Sequence, residues 1–202
     1  MIYSEELSFC FVAVPKTGTT SIEHFLTNYC LRKDVGFIRT TKANTSLRDV
    51  SGKHASIAAI KASYSTTNVI TAGFVRNPWD KVVSWFNYLK HNRQSIHTID
   101  PSVRFEEFLY SAPPFVFTQS CQYLTNINGD VDVDFVGRFE EFELHFSLLC
   151  DLFNVEWAPL KKMNSTHNDA HYSEFYTPDT VRFVEELSLD DIKLFGYSFE
   201  ER

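Results

Sequence analysis

The residues best equipped for chemistry in this 202-residue chain gather in one short run, Pro15-Lys16-Thr17-Gly18-Thr19-Thr20-Ser21. Gly18 lets the backbone approach a ligand closely. Thr17, Thr19, Thr20 and Ser21 supply hydroxyls, and Lys16 adds a full positive charge. A helix starting near Thr19 or Thr20 offers free N–H groups and the positive end of its dipole. Together these make a cradle for phosphate or sulfate, with more donors than capping alone requires. The run is not a Walker loop, which needs GxxxxGK[ST] with Lys after the second Gly. Here Lys16 precedes a single Gly18, which disfavours an ordinary ATPase.

Two further cations stand in similar local settings. Arg76 opens Arg76-Asn77-Pro78-Trp79-Asp80, and Ser84 follows eight residues on. An Arg can fork onto a phosphate, and a Ser two turns into the next helix can reach the same group. Arg138 lies in Val136-Gly137-Arg138-Phe139-Glu140.

Elements that must position these residues are legible around them. Phe9 to Val14, Val69 to Val75 and Val133 to Gly137 are short and rich in β-branched and aromatic residues. The first two are continuously apolar, as strands covered on both faces are. Helical spacing follows each: Ile22, Phe25, Leu26 and Tyr29; then Val82, Val83, Phe86 and Leu89; then Phe142, Phe146, Leu149 and Phe153. Asn77 can cap the second of these helices, with Pro78 in its first turn. Other helices are expected from Ser51 to Ser63 with Ser51 as cap, from Phe105 to Tyr110, and from Thr177 to Leu187 as the last one. Asn164 to Ser173 is polar and aperiodic and reads as a loop. Strand, turn and helix recurring along a chain predict an α/β fold with a mainly parallel sheet. No linker or repeat interrupts residues 1–202, so a single domain is expected. In such sheets ligands bind beyond the carboxyl ends of the strands, where Lys16, Arg76 and Arg138 all fall.

Composition narrows the partners. Residues are 44% hydrophobic, enough for a real core, and the formal net charge is −7. That balance argues against nucleic acid and anionic membranes, but not against an anion held by a local nest of amides. No apolar run is long enough to span a bilayer, and the start lacks a signal-peptide pattern, so a cytoplasmic protein with no integral membrane segment is expected. The four cysteines show no CxxC pairing, so no metal site is expected from them.

The loop Pro15 to Ser21 resembles the 5′-phosphosulfate loop of sulfotransferases. Phe74-Val75-Arg76-Asn77-Pro78-Trp79-Asp80 with Ser84 resembles their 3′-phosphate motif. Val136 to Glu140 and Phe195-Gly196-Tyr197 are similar to the carbohydrate-modifying, 2-O-sulfotransferase-like branch. The resemblance implies a P-loop-like three-layer α/β fold, a central sheet flanked by helices. It implies the donor 3′-phosphoadenosine 5′-phosphosulfate (PAPS, leaving PAP), no metal, and a hydroxyl acceptor, a sugar or glycan precursor. Lys16 would stabilise the leaving phosphate, with Thr17, Gly18, Thr19, Thr20 and Ser21 around the phosphosulfate. Arg76 and Ser84 would hold the 3′-phosphate, and Arg138 would assist donor binding. A His in the region of His54 serves as base in related enzymes, and a neutral imidazole suits that task. Glu140 is the second base candidate. His24 reads as structural, whereas His167 and His171 could contact the acceptor. The competing readings are a nucleotide-dependent kinase or NTPase, and a non-catalytic nucleotide-binding protein.

Overall fold

A computed structural model describes residues 1–4, 7–30, 53–91, 97–161 and 170–200. In chain order the elements are β1 (Ile2–Ser4), β2 (Phe9–Val12), α1 (Thr19–Cys30), α2 (Ile57–Ser63), β3 (Ile70–Val75), α3 (Pro78–His91), α4 (Phe105–Ser111), α5 (Cys121–Leu124), β4 (Phe135–Arg138), α6 (Phe142–Leu152), α7 (Pro178–Leu187) and α8 (Leu189–Phe195). Short 3-10 turns occupy Pro114–Phe117, Phe139–Glu141 and Tyr172–Phe175. The chain divides into two compact units: Met1–Val75 with Ser120–Met163, and Arg76–Gln119 with Asn164–Arg202.

The first unit holds a four-stranded sheet in the order β1-β2-β3-β4. β2, β3 and β4 run parallel, with Val12 beside Gly73 and Val75 beside Arg138. The α/β class and the mainly parallel sheet thus stand. β1 adds an antiparallel edge, Ile2 opposite Phe11, and three residues are too short for a pattern to announce. All four β2 residues are buried, as their unbroken apolar run predicts. Phe9, Phe11, Phe74, Phe146 and Phe153 are sealed in one core with Ile22 and Leu26 of α1. Each such ring removed from water contributes about 1.5–3 kcal/mol. Gly137 in β4 makes this possible, because a Cβ there would lie 2.6 Å from the Phe74 ring.

The second unit is helical. Trp79, Val82, Val83, Phe86 and Leu89 of α3 bury one stripe against Phe105, Phe108, Leu109 and Val184. Asn77 Oδ1 accepts from the Trp79 N–H at 3.1 Å and starts α3, as expected. Lys81 is buried, its Nζ donating to the Thr118 carbonyl at 2.8 Å and lying 4.0 Å from Asp191. Thr177 caps α7 through the Thr180 N–H.

Three expectations are corrected. The helix assigned from Ser51 starts at Ile57, with Ser56 accepting from the Ala59 N–H; Ser51 lies outside the described residues. Strand Phe9–Val14 stops at Val12 because the chain turns into the loop. α7 is not the last helix: after a break at Ser188 the chain resumes as α8, closed by Gly196 at φ 66. Among the described residues no helix is long and apolar enough to cross a membrane.

Candidate active site

The first unit builds its site at the end of β2. Val14 leads into a loop in which Lys16 has φ 65 and Gly18 has φ 77. A lysine in the left-handed region is strained, and such strain persists only where the surroundings enforce it. At Gly18 the requirement is double. A Cβ would also strike Phe142 at 2.6 Å, with Phe139 at 3.4 Å. The start of α6 therefore presses the loop into shape, and Phe142 belongs to the same aromatic core, 5.5 Å from Phe74.

The hydroxyls divide their tasks. Thr17 is fully buried, and its Oγ1 donates to the Val14 carbonyl at 3.0 Å. That proton braces the loop, so Thr17 has only its backbone N–H and hydroxyl lone pairs left for a ligand. Thr19 is buried too, whereas Thr20, Ser21 and Lys16 keep some exposure. The Gly18 carbonyl accepts from the Ser21 and Ile22 N–H groups and starts α1 at Thr19. No acidic side chain occupies the first turn of α1, the end that carries the helix's positive pole.

His54 reaches this loop from 41 residues away in sequence. Its Nδ1 lies 2.6 Å from the Ala13 carbonyl. A carbonyl only accepts, so Nδ1 carries the hydrogen and Nε2 carries the lone pair. Part of the residue is open to solvent. Even so, burial of the ring holds its pKa below the ordinary imidazole value, opposed by the Ala13 bond. His54 sits in a turn ahead of the Ser56 cap, not on the helix start expected from sequence.

Lys53 is a residue that sequence reasoning passed over. Its Nζ is 3.5 Å from Thr20 Oγ1 and 3.0 Å from Glu23 Oε2, both on α1. A second ammonium thus stands at the cradle. The only signal in the sequence was its position next to His54.

The remaining predicted residues fall as follows. Arg138 ends β4 and is half-buried; its backbone N–H donates to His145 Nδ1 at 2.9 Å. Glu140 is exposed in the following turn. His24 is exposed rather than structural, and lines a cavity of about 390 Å³ with Ser21, Phe25, Pro159, Leu160 and Lys161. Arg76 and Ser84 belong to the second unit and are half-buried there. Arg76 pairs with Asp80 through Nε at 2.7 Å and Nη2 at 2.9 Å. His171 caps a 3-10 turn through Ser173. His167 and most of the loop expected from Asn164 to Ser173 lie outside the described residues. Among the described residues no group of His, Cys, Asp or Glu gathers that could hold a metal ion.

A strained Lys-Thr-Gly loop at a helix start, with an oriented imidazole and a second ammonium beside it, is equipped for group transfer from an anion. The chain matches the sulfotransferase family over residues 1–198. It belongs to that family. The match runs through both compact units and fits a P-loop-like α/β fold. No curated protein and no solved structure gives a significant match. The family membership makes the chain a sulfotransferase, acting on a hydroxyl-bearing acceptor.

Proposed function

We propose that this sulfotransferase draws on PAPS and sulfates a carbohydrate hydroxyl, residues 1–202 acting as one domain. The observation that carries the reading is the meeting of the strained Lys16–Gly18 loop and the Ala13-anchored His54 at the end of β2. The residues present suit an anionic donor: Lys16 and the start of α1 offer positive charge at the loop, and the first turn of α1 carries no carboxylate.

When bound, the donor supplies a sulfuryl group whose sulfur passes from the bridging phosphate oxygen to the acceptor oxygen. Lys16 and the α1 amides take up charge on the departing oxygen, which is where a preorganised site lowers the barrier most. His54 Nε2 accepts the acceptor's proton, and the Ala13 carbonyl keeps the ring in the right tautomer. Lys53 adds positive charge at Thr20. Ser21 is shared with the cavity beside His24 and Phe25, whose apolar wall suits the nucleoside half. Arg76 and Ser84 are assigned to the 3′-phosphate by their motif and its order along the chain, with Arg138 assisting. Transfer of this kind is positioning plus charge stabilisation, attack being in line by analogy with phosphoryl transfer, and needs no metal of its own. Cys10, Cys121 and Cys150 are buried free thiols, which suits a reducing, cytoplasmic setting.

Two measurements test the reading. PAP without metal should raise the melting temperature well above the shift given by ATP with magnesium; equal or reversed shifts would favour the kinase-like alternative and sink this one. A PAPS-dependent screen across sugars, phenols and lipid-linked glycans should find its best acceptor among the sugars. Transfer to phenols alone would remove the carbohydrate assignment. PAP binding with no transfer to any acceptor would mark a non-catalytic nucleotide-binding protein.

A further inference from the structure

The Arg76 guanidinium is gripped by a neighbour. Asp80, in the first turn of α3, takes Nε on Oδ2 and Nη2 on Oδ1, and the two side chains are only 14% and 23% exposed. Two parallel charge-assisted bonds fix a guanidinium plane, where one bond would let it swivel. An acid in the first turn of a helix is unremarkable by itself, since it suits the dipole. The fork goes further, because it spends both carboxylate oxygens on one cation.

Asp80 itself stands on a rigid base. Asn77 Nδ2 donates to the Ser198 carbonyl at 3.0 Å and to Tyr172 Oη at 3.3 Å. Tyr176 Oη donates to the Trp79 carbonyl at 2.9 Å, and Trp79 Nε1 to the Val181 carbonyl at 3.0 Å. Backbone and side chain on both sides of Asp80 are therefore bolted to the helical unit. Burial, with the Asp80 charge second, also pushes the Tyr176 phenol up, so it stays neutral. A carboxylate next to a phosphate-binding Arg would by itself repel the ligand. Its placement here makes sense if orientation of the Arg outweighs that repulsion.

We propose that Asp80 is a positioning residue: it holds the Arg76 guanidinium in the plane that receives the donor's 3′-phosphate, and so sets the preference for a 3′,5′-bisphosphorylated nucleotide over a 5′-monophosphorylated one. The inference rests on the donor reading given above.

The test uses the full chain without metal and compares calorimetric affinities for PAP and for adenosine 5′-monophosphate. The wild-type chain should prefer PAP about 100-fold, as a charge-assisted double contact provides. Asp80→Asn should cut that preference about tenfold, while affinity for the monophosphate and the melting temperature stay close to wild type. Asp80→Glu keeps the charge on a longer arm and should lose about threefold. An unchanged preference in Asp80→Asn overturns the proposal. So does an equal loss for both nucleotides, which would mean a purely structural role. Should Asp80→Asn not fold, Asp80→Glu decides, and an unchanged preference there overturns the proposal equally. If the wild type shows no preference, or Arg76→Ala keeps it, the assignment of Arg76 to the 3′-phosphate fails and this proposal with it. That outcome differs from a preference that depends on Arg76 but ignores Asp80.

Discussion

The two regions proposed to meet the donor are built on opposite plans. The loop after β2 works through its backbone: Lys16 and Gly18 sit at positive φ, Thr17 spends its hydroxyl proton inside the loop, and Phe142 leaves no room for a side chain at Gly18. The segment after β3 works through side chains on ordinary backbone: Asn77 caps α3, Pro78 starts it, and Asp80 grips Arg76. A cradle of amides can follow charge as it shifts to a leaving oxygen, which is a catalytic task. A forked guanidinium recognises a phosphate whose charge does not change, which is a binding task. Substitutions in the loop should therefore impair transfer, and those in the fork affinity.

The largest effect expected is at His54. His54→Ala should lower kcat by about 10²–10⁴-fold with PAP affinity retained. In the wild type the acidic limb of kcat/KM should fall below the ordinary imidazole value of about 6.5, because the folded-state pKa is lowered. The same shift has a sign for stability. A proton binds the unfolded His54 more readily than the folded one, so stability is full above about pH 6.5 and declines as pH falls toward the folded pKa. A limb above that value would contradict the lowered pKa of His54.

Lys16→Ala comes next, with a loss of about 10²–10³ in kcat and a much smaller change in PAP affinity. If affinity and kcat fall together, the loop is merely a second binding fork and the contrast breaks.

Gly18→Ala should cost about 1–3 kcal/mol, read as a lower melting temperature together with lost donor binding. Adding Phe142→Leu should recover part of that cost by opening space, but not all, since the dihedral remains. Complete recovery would mean that φ 77 carries no strain for alanine.

Asn77→Ala is the smallest. It removes a helix cap and two buried contacts, for about 2 kcal/mol of stability, with kcat per folded molecule nearly unchanged. A collapse in kcat would place Asn77 in the chemistry and blur the division between the two regions.

The parts of this architecture that were legible in sequence are those written in residue type. Unbroken apolar runs marked β2 and β3, and Asn77-Pro78 marked the start of α3. β1 escaped because three residues carry no period, and α8 because a one-residue break at Ser188 separates it from α7. At the site, Lys16 and Gly18 were visible as types, but a lysine does not reveal its φ. The approach of Lys53 to Thr20 and of His54 to Ala13 closes over 33 and 41 residues. Such meetings are decided by tertiary packing, which local patterns do not record.

The hydrogen bond between His54 and Ala13 also bears on how the enzyme would reset. With Nδ1 committed to the carbonyl, a proton taken up at Nε2 turns the ring into a cation that burial disfavours. Part of the residue faces water, so bulk buffer can collect that proton directly, without a relay of side chains. Loss of that proton would then not limit turnover at neutral pH.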